Sequence, residues 1–138
     1  MPYVAAMGDL EALRTEIPAY AGYEDAEARH LVDKQVRAWV GERLALLDDR
    51  LHLADGPLSS AFEHLLRECE FSDPHAIREL EQRRFDASDL ELIYTLDHRL
   101  IEAADRADTI EAGGVADYLA ELEQLFASRY AVIDEAAG

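Results

Sequence analysis

The sequence has few basic residues and almost no cysteine. Lysine and arginine together number 13 of 138 residues, against 30 aspartates and glutamates, so the formal net charge at pH 7 is -17. Nucleic acids and anionic membrane surfaces are bound through clustered positive charge, so this composition argues against both as partners. Cys69 is the only cysteine, which excludes a disulfide within the chain and a cysteine-rich zinc site.

Long apolar runs are missing as well. Hydrophobic residues make up 49% of the chain, but the longest uninterrupted runs, such as residues 4–7, fall far short of the roughly 20 residues that span a membrane. The first residues contain neither the basic nor the apolar segment of a secretory signal. We therefore expect a soluble, cytoplasmic protein with a single domain over residues 1–138, in which residues 1–23 pack on the rest.

Strand signals are scarce, and helical periodicity takes their place. No stretch alternates apolar and polar residues long enough for a strand. Proline, glycine and capping residues divide the chain into helical segments, at about 9–17, 24–54, 57–69, from 72–74 onwards, 88–110 (opened by a capping box at 88–91) and 115–133. The pattern predicts an all-α antiparallel helical bundle of two long and two medium helices with short accessory helices. We expect Tyr20 and Tyr23, between the first two segments, to be packed.

Three charged residues fall on apolar faces of these helices. At about 100° per residue, Asp97 lies between Ile93 and Ile101, Arg43 lies near the middle of the second helix's apolar face, and Arg129 lies within that of the last helix. An isolated buried charge is very unfavourable. We therefore predict an ion pair in the interior between Asp97 and either Arg43 or Arg129. The alternatives are arginine heads that reach solvent and an Asp97 at an exposed edge of the bundle.

The same region is the best candidate for a small-molecule site. Trp39 and Tyr94 lie close in helical phase to the charged residues. An interior cavity with aromatic walls and an arginine–aspartate pair would suit an anionic ligand. The candidate ligand-binding residues are Arg43, Asp97, Trp39, Tyr94 and Arg129. Plain core packing is the simpler interpretation of the aromatic residues. Gly41, inside the second helix, indicates either a close helix crossing or a tolerated surface position.

Metal and catalytic motifs are weak. Glu27-x-x-His30 is the one match to the Glu-x-x-His pattern of dimetal bundles, and both residues point away from the apolar face. The five histidines are His30, His52, His64, His75 and His98. They are interpreted as solvated, with a zinc or nickel site as the lesser alternative. Cys69 shares an apolar helix face and is expected to be a buried, unreactive thiol. We predict no metal, no cofactor and no catalytic residue.

No motif identifies an activity, so only a class of function can be predicted. We expect a non-catalytic interaction module that acts through protein–protein contacts. The acidic surface favours a basic protein as partner, and a second copy of the chain is the other candidate. The homodimer rests on the second helix, whose roughly 30 residues would span ~45 Å, more than a small bundle requires. A small-ligand sensor with an interior arginine–aspartate site and a metal-dependent helical-bundle enzyme are the two alternatives.

Overall fold

Six α-helices build the part of the chain that the structure describes. The computed structural model describes residues 2–70 and 74–136, with side chains for residues 8–70 and 78–136. The helices are α1 (Pro2–Glu16), α2 (Arg29–Leu51), α3 (Ser59–Glu70), α4 (Pro74–Gln82), α5 (Ala87–Asp105) and α6 (Val115–Glu135). The prediction of an all-α bundle is confirmed. Among the described residues, no helix combines the length and the apolar character that a membrane crossing requires.

The second helix is shorter than predicted. It has 23 residues, because residues 26–28 form a 3-10 turn before it and His52 takes a left-handed conformation (φ 55°) that ends it. The Asp55–Pro57 signal therefore lies beyond the end of the helix. At 1.5 Å per residue α2 is about 35 Å long, so the excess length that favoured a homodimer is absent.

Other helix ends also differ from the prediction. Helix α1 begins at Pro2 rather than near Asp9. Helix α5 is capped by Asp86, whose carboxylate accepts from the Asp89 amide (2.8 Å) while the Asp89 carboxylate accepts from the Asp86 amide (3.1 Å). The capping box is thus built by two aspartates, and it precedes the predicted box at 88–91. Residues 72–73, predicted to open the fourth helix, and the side chain of His75 lie outside the described residues.

Helix α5 is the central helix, and α6 packs against it in the opposite direction. Helix α5 contacts α1, α2 and α6. The Tyr118 hydroxyl donates to the Ala103 carbonyl (2.7 Å), and the Arg129 side chain donates to Asp97 (2.6 Å). Along α6 Arg129 follows Tyr118, whereas along α5 the partner of Arg129, Asp97, precedes Ala103, so these two helices are antiparallel.

Helix α1 runs in the same direction as α5. In the middle of α1, Asp9 accepts a hydrogen bond from Thr95 (2.8 Å), and at its end Glu16 is hydrogen-bonded to Asp105. Short connections predict that consecutive helices alternate in direction. The observed bundle therefore mixes antiparallel and parallel neighbours.

The segment between α1 and α2 accounts for this mixture. It runs back along α5, so the Tyr20 hydroxyl reaches Asp97 (2.7 Å) and the Tyr23 amide reaches the Tyr94 hydroxyl (3.0 Å). Both tyrosines are buried, as predicted. We call residues 17–25 the connector. The connector brings the chain back towards the end of the bundle at which α1 and α5 begin. Helix α2 starts from there and therefore also runs parallel to α5.

Arg29 fixes the point where the connector enters α2. Its Nε donates to the Tyr23 carbonyl (2.7 Å), and Nη1 donates to the carbonyls of Leu80 (3.1 Å) and Arg83 (2.6 Å) at the end of α4. The guanidinium also lies 4.5 Å from the centre of the Phe85 ring. The last carbonyls of a helix need such partners, so one buried arginine joins the connector, α2 and α4.

Gly41 marks a close crossing of α2 and α3. A Cβ atom at Gly41 would lie 3.3 Å from the Cβ of Cys69, which is tighter than ordinary side-chain contact. Cys69 is buried, and its burial raises the pKa of the thiol to about 12. Of the two interpretations of Gly41, the close helix crossing is therefore the one observed, and the predicted burial of Cys69 is confirmed.

Candidate functional site

A cluster of charged and phenolic side chains lies in the middle of the bundle. It consists of Tyr20, Tyr23, Asp33, Asp97 and Arg129, and we call it the core cluster. The guanidinium of Arg129 donates from Nε to Asp97 Oδ1 (2.6 Å), from Nη1 to Asp33 Oδ1 (2.7 Å) and from Nη2 to the Tyr23 hydroxyl (2.5 Å). All three nitrogens of the arginine thus donate to protein oxygens.

Both carboxylates of the core cluster are also fully engaged. Asp97 Oδ2 accepts from the hydroxyls of Tyr20 (2.7 Å) and Tyr23 (2.6 Å). Asp33 Oδ2, the oxygen that does not bond to Arg129, accepts a hydrogen bond from Arg37 Nε (2.9 Å). A buried polar network stabilises a unique packing only when its members are all satisfied, and this one meets that condition.

The protonation states follow from burial and charge. Burial raises the pKa of the Tyr20 and Tyr23 phenols well above the usual value, so both hydroxyls remain donors at neutral pH. Burial also acts to raise the pKa of Asp33, but the positive charges of Arg129 and Arg37 outweigh it and hold that pKa below its usual value. The cluster is therefore an ionic network that joins the connector, α2, α5 and α6.

Gly22 allows the connector to pass close to α5. Its φ is +85°, a left-handed value that residues with a Cβ rarely adopt. A Cβ at this position would also lie 2.8 Å from the Tyr94 hydroxyl, which accepts a hydrogen bond from the Tyr23 amide. In the Tyr-Ala-Gly-Tyr sequence, Gly22 thus lets the backbone come close enough to α5 for both tyrosines to reach the core.

The five predicted site residues fall into two separate places. Asp97 and Arg129 form the predicted interior ion pair, and Tyr94 lies beside it. Trp39 and Arg43 instead lie at the surface, where Arg43 Nε is 3.3 Å from an oxygen of Asp105 and the guanidinium stacks 3.7 Å from the centre of the Trp39 ring.

Arg43 is therefore not the partner of Asp97, and its predicted place in the middle of an apolar face is wrong. Helical phase identifies the face of a helix, but it does not fix the height at which two helices meet. Helices α2 and α5 are parallel. Asp33 of α2 lies at the same height as Asp97 of α5, because Arg129 donates to both. Arg43 lies further along α2, at the height of Asp105.

A surface pocket of about 650 Å³ surrounds Trp39. It lies between the end of α1, the second half of α2 and the turn that follows α5, and we call it the Trp39 pocket. Its lining residues are Glu16, Trp39, Arg43, Leu46, Leu47, Arg50, Asp105, Ala107 and Asp108. Its rim includes Leu46, a large apolar side chain that is 64% exposed.

The polar groups of the Trp39 pocket are arranged around Asp105. The indole Nε1 of Trp39 donates to Asp105 Oδ1 (2.9 Å). A hydrogen bond between Glu16 and Asp105, together with partial burial, raises the pKa of Glu16 to about 7. Arg50 donates from Nη2 to the carbonyls of Ala107 (2.7 Å) and Ile110 (2.6 Å). Both pocket arginines are thus held by protein acceptors, while the carboxyl groups of Glu16 and Asp108 remain exposed.

Sequence reasoning missed several of these residues. Asp33 carried a usable signal, because it lies seven residues before Val40 and fourteen before Leu47, both of which are buried. Glu16 and Asp105 carried none, because their contact depends on the direction of α1. The sequence match Glu27-x-x-His30 was not expected to form a metal site, and in the structure His30 lies 3.5 Å from Glu81.

Comparisons with known proteins add no relative to this picture. No protein-family model, curated protein or solved structure matches the chain. The function has to be argued from the site itself.

Proposed function

We propose that the protein is a non-catalytic binding module that holds a basic, amphipathic segment of a protein partner in the Trp39 pocket. The observation that carries the proposal is the pocket itself, in which the exposed Leu46 side chain and the partly buried indole of Trp39 lie beside carboxyl groups. Tryptophan and arginine are the residues most enriched among those that dominate binding energy at protein interfaces.

The charges of the pocket favour a basic occupant. The chain carries a formal net charge of -17, and the pocket arginines are already paired within the protein. The carboxyl groups of Glu16 and Asp108 therefore determine what an incoming segment meets. Opposite charge also accelerates association over long range. A second copy of this chain would bring the same net negative charge, so self-association is the weaker candidate.

The core cluster is the weaker candidate for a ligand site. Its arginine donates from every nitrogen to protein oxygens. Its two carboxylates accept from four residues, namely Arg129, Tyr20, Tyr23 and Arg37. An anionic ligand would have to displace these bonds. The Trp39 pocket demands no such exchange, and its volume of about 650 Å³ lies within the usual range of roughly 300–1,000 Å³ for binding pockets.

Substitution of Leu46 is expected to weaken binding of a basic amphipathic peptide by at least about tenfold, roughly 1.4 kcal/mol. The probe is a fluorescein-labelled helical peptide of leucine and lysine, with its leucines on one face, and binding is followed by anisotropy. Leu46→Asp places a charge where the apolar face of the peptide would dock. Wild-type binding should also shift the emission of Trp39, the only tryptophan of the chain.

Leu92→Asp is the matched control. Leu92 is 50% exposed, lies on α5 and is not part of the pocket lining, so the same change in charge is made elsewhere. The control should bind as the wild type does. Equal affinities for Leu46→Asp and Leu92→Asp, or no binding by the wild type, would contradict the proposal. Binding should also weaken as salt rises.

The affinity for the same peptide is expected to fall as the pH decreases from 8 to 6. The pKa of Glu16 is about 7, so lowering the pH neutralises a carboxylate in the pocket, while the lysines of the peptide stay charged. Asp105, Arg43 and His98 surround this group. Glu16→Gln should flatten the pH dependence of the affinity, because it removes the carboxyl group that titrates near pH 7. An unchanged profile in Glu16→Gln would show that this carboxyl group does not face the peptide.

A further inference from the structure

A histidine and two glutamates converge at the surface where α3 packs against α6. His64 and Glu68 are one turn apart on α3, and Glu123 comes from α6. The Nε2 atom of His64 lies 3.0 Å from Glu123 Oε1 and 3.5 Å from Glu68 Oε1. One ligand atom from each of the three residues lies within 4.8 Å of the others. These three residues form what we call the His64 cluster.

The geometry of the His64 cluster differs from that of a simple ion pair. Both carboxylates approach the same imidazole nitrogen, which carries at most one proton to share between them. The His98 environment shows the contrast. There Nδ1 faces Asp9 (2.8 Å) and Nε2 faces Glu102 (2.9 Å), so each carboxylate has its own nitrogen.

A second observation concerns the other oxygen of Glu68. Glu68 Oε2 is buried and has no hydrogen-bond partner within the part of the chain that the structure describes. Arg37 is near, but its guanidinium is already bound to Asp33 and to the Glu68 backbone carbonyl. The two carboxylates therefore converge without a dedicated counter-charge other than His64.

We propose that His64, Glu68 and Glu123 bind one zinc ion and thereby join α3 to α6. One imidazole nitrogen and two carboxylate oxygens form a donor set that zinc accepts, with water in the remaining position. Magnesium and calcium prefer sites built entirely from oxygen ligands. The i, i+4 spacing of His64 and Glu68 presents both ligands from one helix face. The site lies apart from the Trp39 pocket and does not depend on the proposed binding function.

Titration calorimetry with zinc chloride tests the proposal on the untagged, metal-free protein at pH 7.5. The wild type should bind one zinc ion, and His64→Ala and Glu123→Gln should each weaken binding by at least about tenfold. His98→Ala should bind zinc as the wild type does. It also removes a histidine that lies between two carboxylates, but there each carboxylate faces a different ring nitrogen. His30→Ala provides a second control at an exposed histidine beside a single glutamate.

A stability measurement gives a readout that does not depend on the calorimetric heat. Zinc should raise the melting temperature of the wild type and of His30→Ala, because a ligand stabilises the state that binds it. It should leave that of His64→Ala unchanged. Absence of zinc binding in the wild type, or binding by His64→Ala at wild-type affinity, would overturn the assignment.

Discussion

Replacing Asp97 with alanine is expected to lower the free energy of unfolding by about 3–5 kcal/mol. The carboxylate is completely buried and accepts hydrogen bonds from Arg129, Tyr20 and Tyr23. Its removal leaves a buried guanidinium with a single remaining counter-charge and two phenols without an acceptor. Urea unfolding at pH 7, followed by circular dichroism, measures the change.

An exposed ion pair provides the control for this experiment. Arg106 and Glu121 are bonded to each other on the surface, with both side chains about half exposed. Exposed pairs contribute little, so Glu121→Ala should change the free energy of unfolding by less than about 1 kcal/mol. If Asp97→Ala were no more destabilising than Glu121→Ala, the core cluster would not have the role that its burial implies.

Replacing Arg129 with methionine is expected to destabilise the protein by about 5 kcal/mol or more at neutral pH. The substitution keeps much of the volume but leaves the carboxylates of Asp33 and Asp97 buried without the cation between them. Asp33 keeps Arg37 as a partner, whereas Asp97 keeps only the two phenols. The loss should therefore exceed that of Asp97→Ala, in the same urea experiment.

The pH dependence of this variant distinguishes lost charge compensation from lost packing. In the wild type the pKa of Asp33 is lowered, so its contribution to stability is present above pH 3.8, the usual value, and disappears as the pH falls through the folded-state pKa. In Arg129→Met a buried carboxylate has lost its cation and binds a proton more readily when folded. The difference in the free energy of unfolding between Arg129→Met and the wild type should therefore be smaller at pH 4.5 than at pH 7. An equal difference at both pH values would mean that packing alone is lost.

Helical phase predicted the fold class, but it predicted the polar core only in part. The periodicity of apolar residues was sufficient for an all-α bundle, and it placed Asp97 and Arg129 on buried faces. It left Arg43 as an equal candidate, because the choice between two arginines depends on where along its length one helix meets another. That height was set by the connector, which is not periodic and whose hydrogen bonds cannot be read from its sequence.

The surface sites were predictable only residue by residue. Trp39 and Arg43 were named, but for an interior site, because nothing in the sequence indicates that Glu16 and Asp105 meet beside them. His64 was interpreted as solvated, and 63% of its side chain is exposed. Its convergence with Glu123 depends on the packing of α3 against α6, and such a tertiary contact has no local signature.

The position of Arg129 in the last helix has a consequence for how the chain folds. The connector tyrosines bond to Asp97, which follows Tyr20 by 77 positions, and the arginine that completes the network follows Tyr23 by 106 positions. Contacts at such separation are slow to form compared with those inside helices. During synthesis, the core cluster cannot be complete until α6 has emerged, because Arg129 lies on that helix. Formation of the core cluster therefore depends on α6, although the connector that it holds is made much earlier.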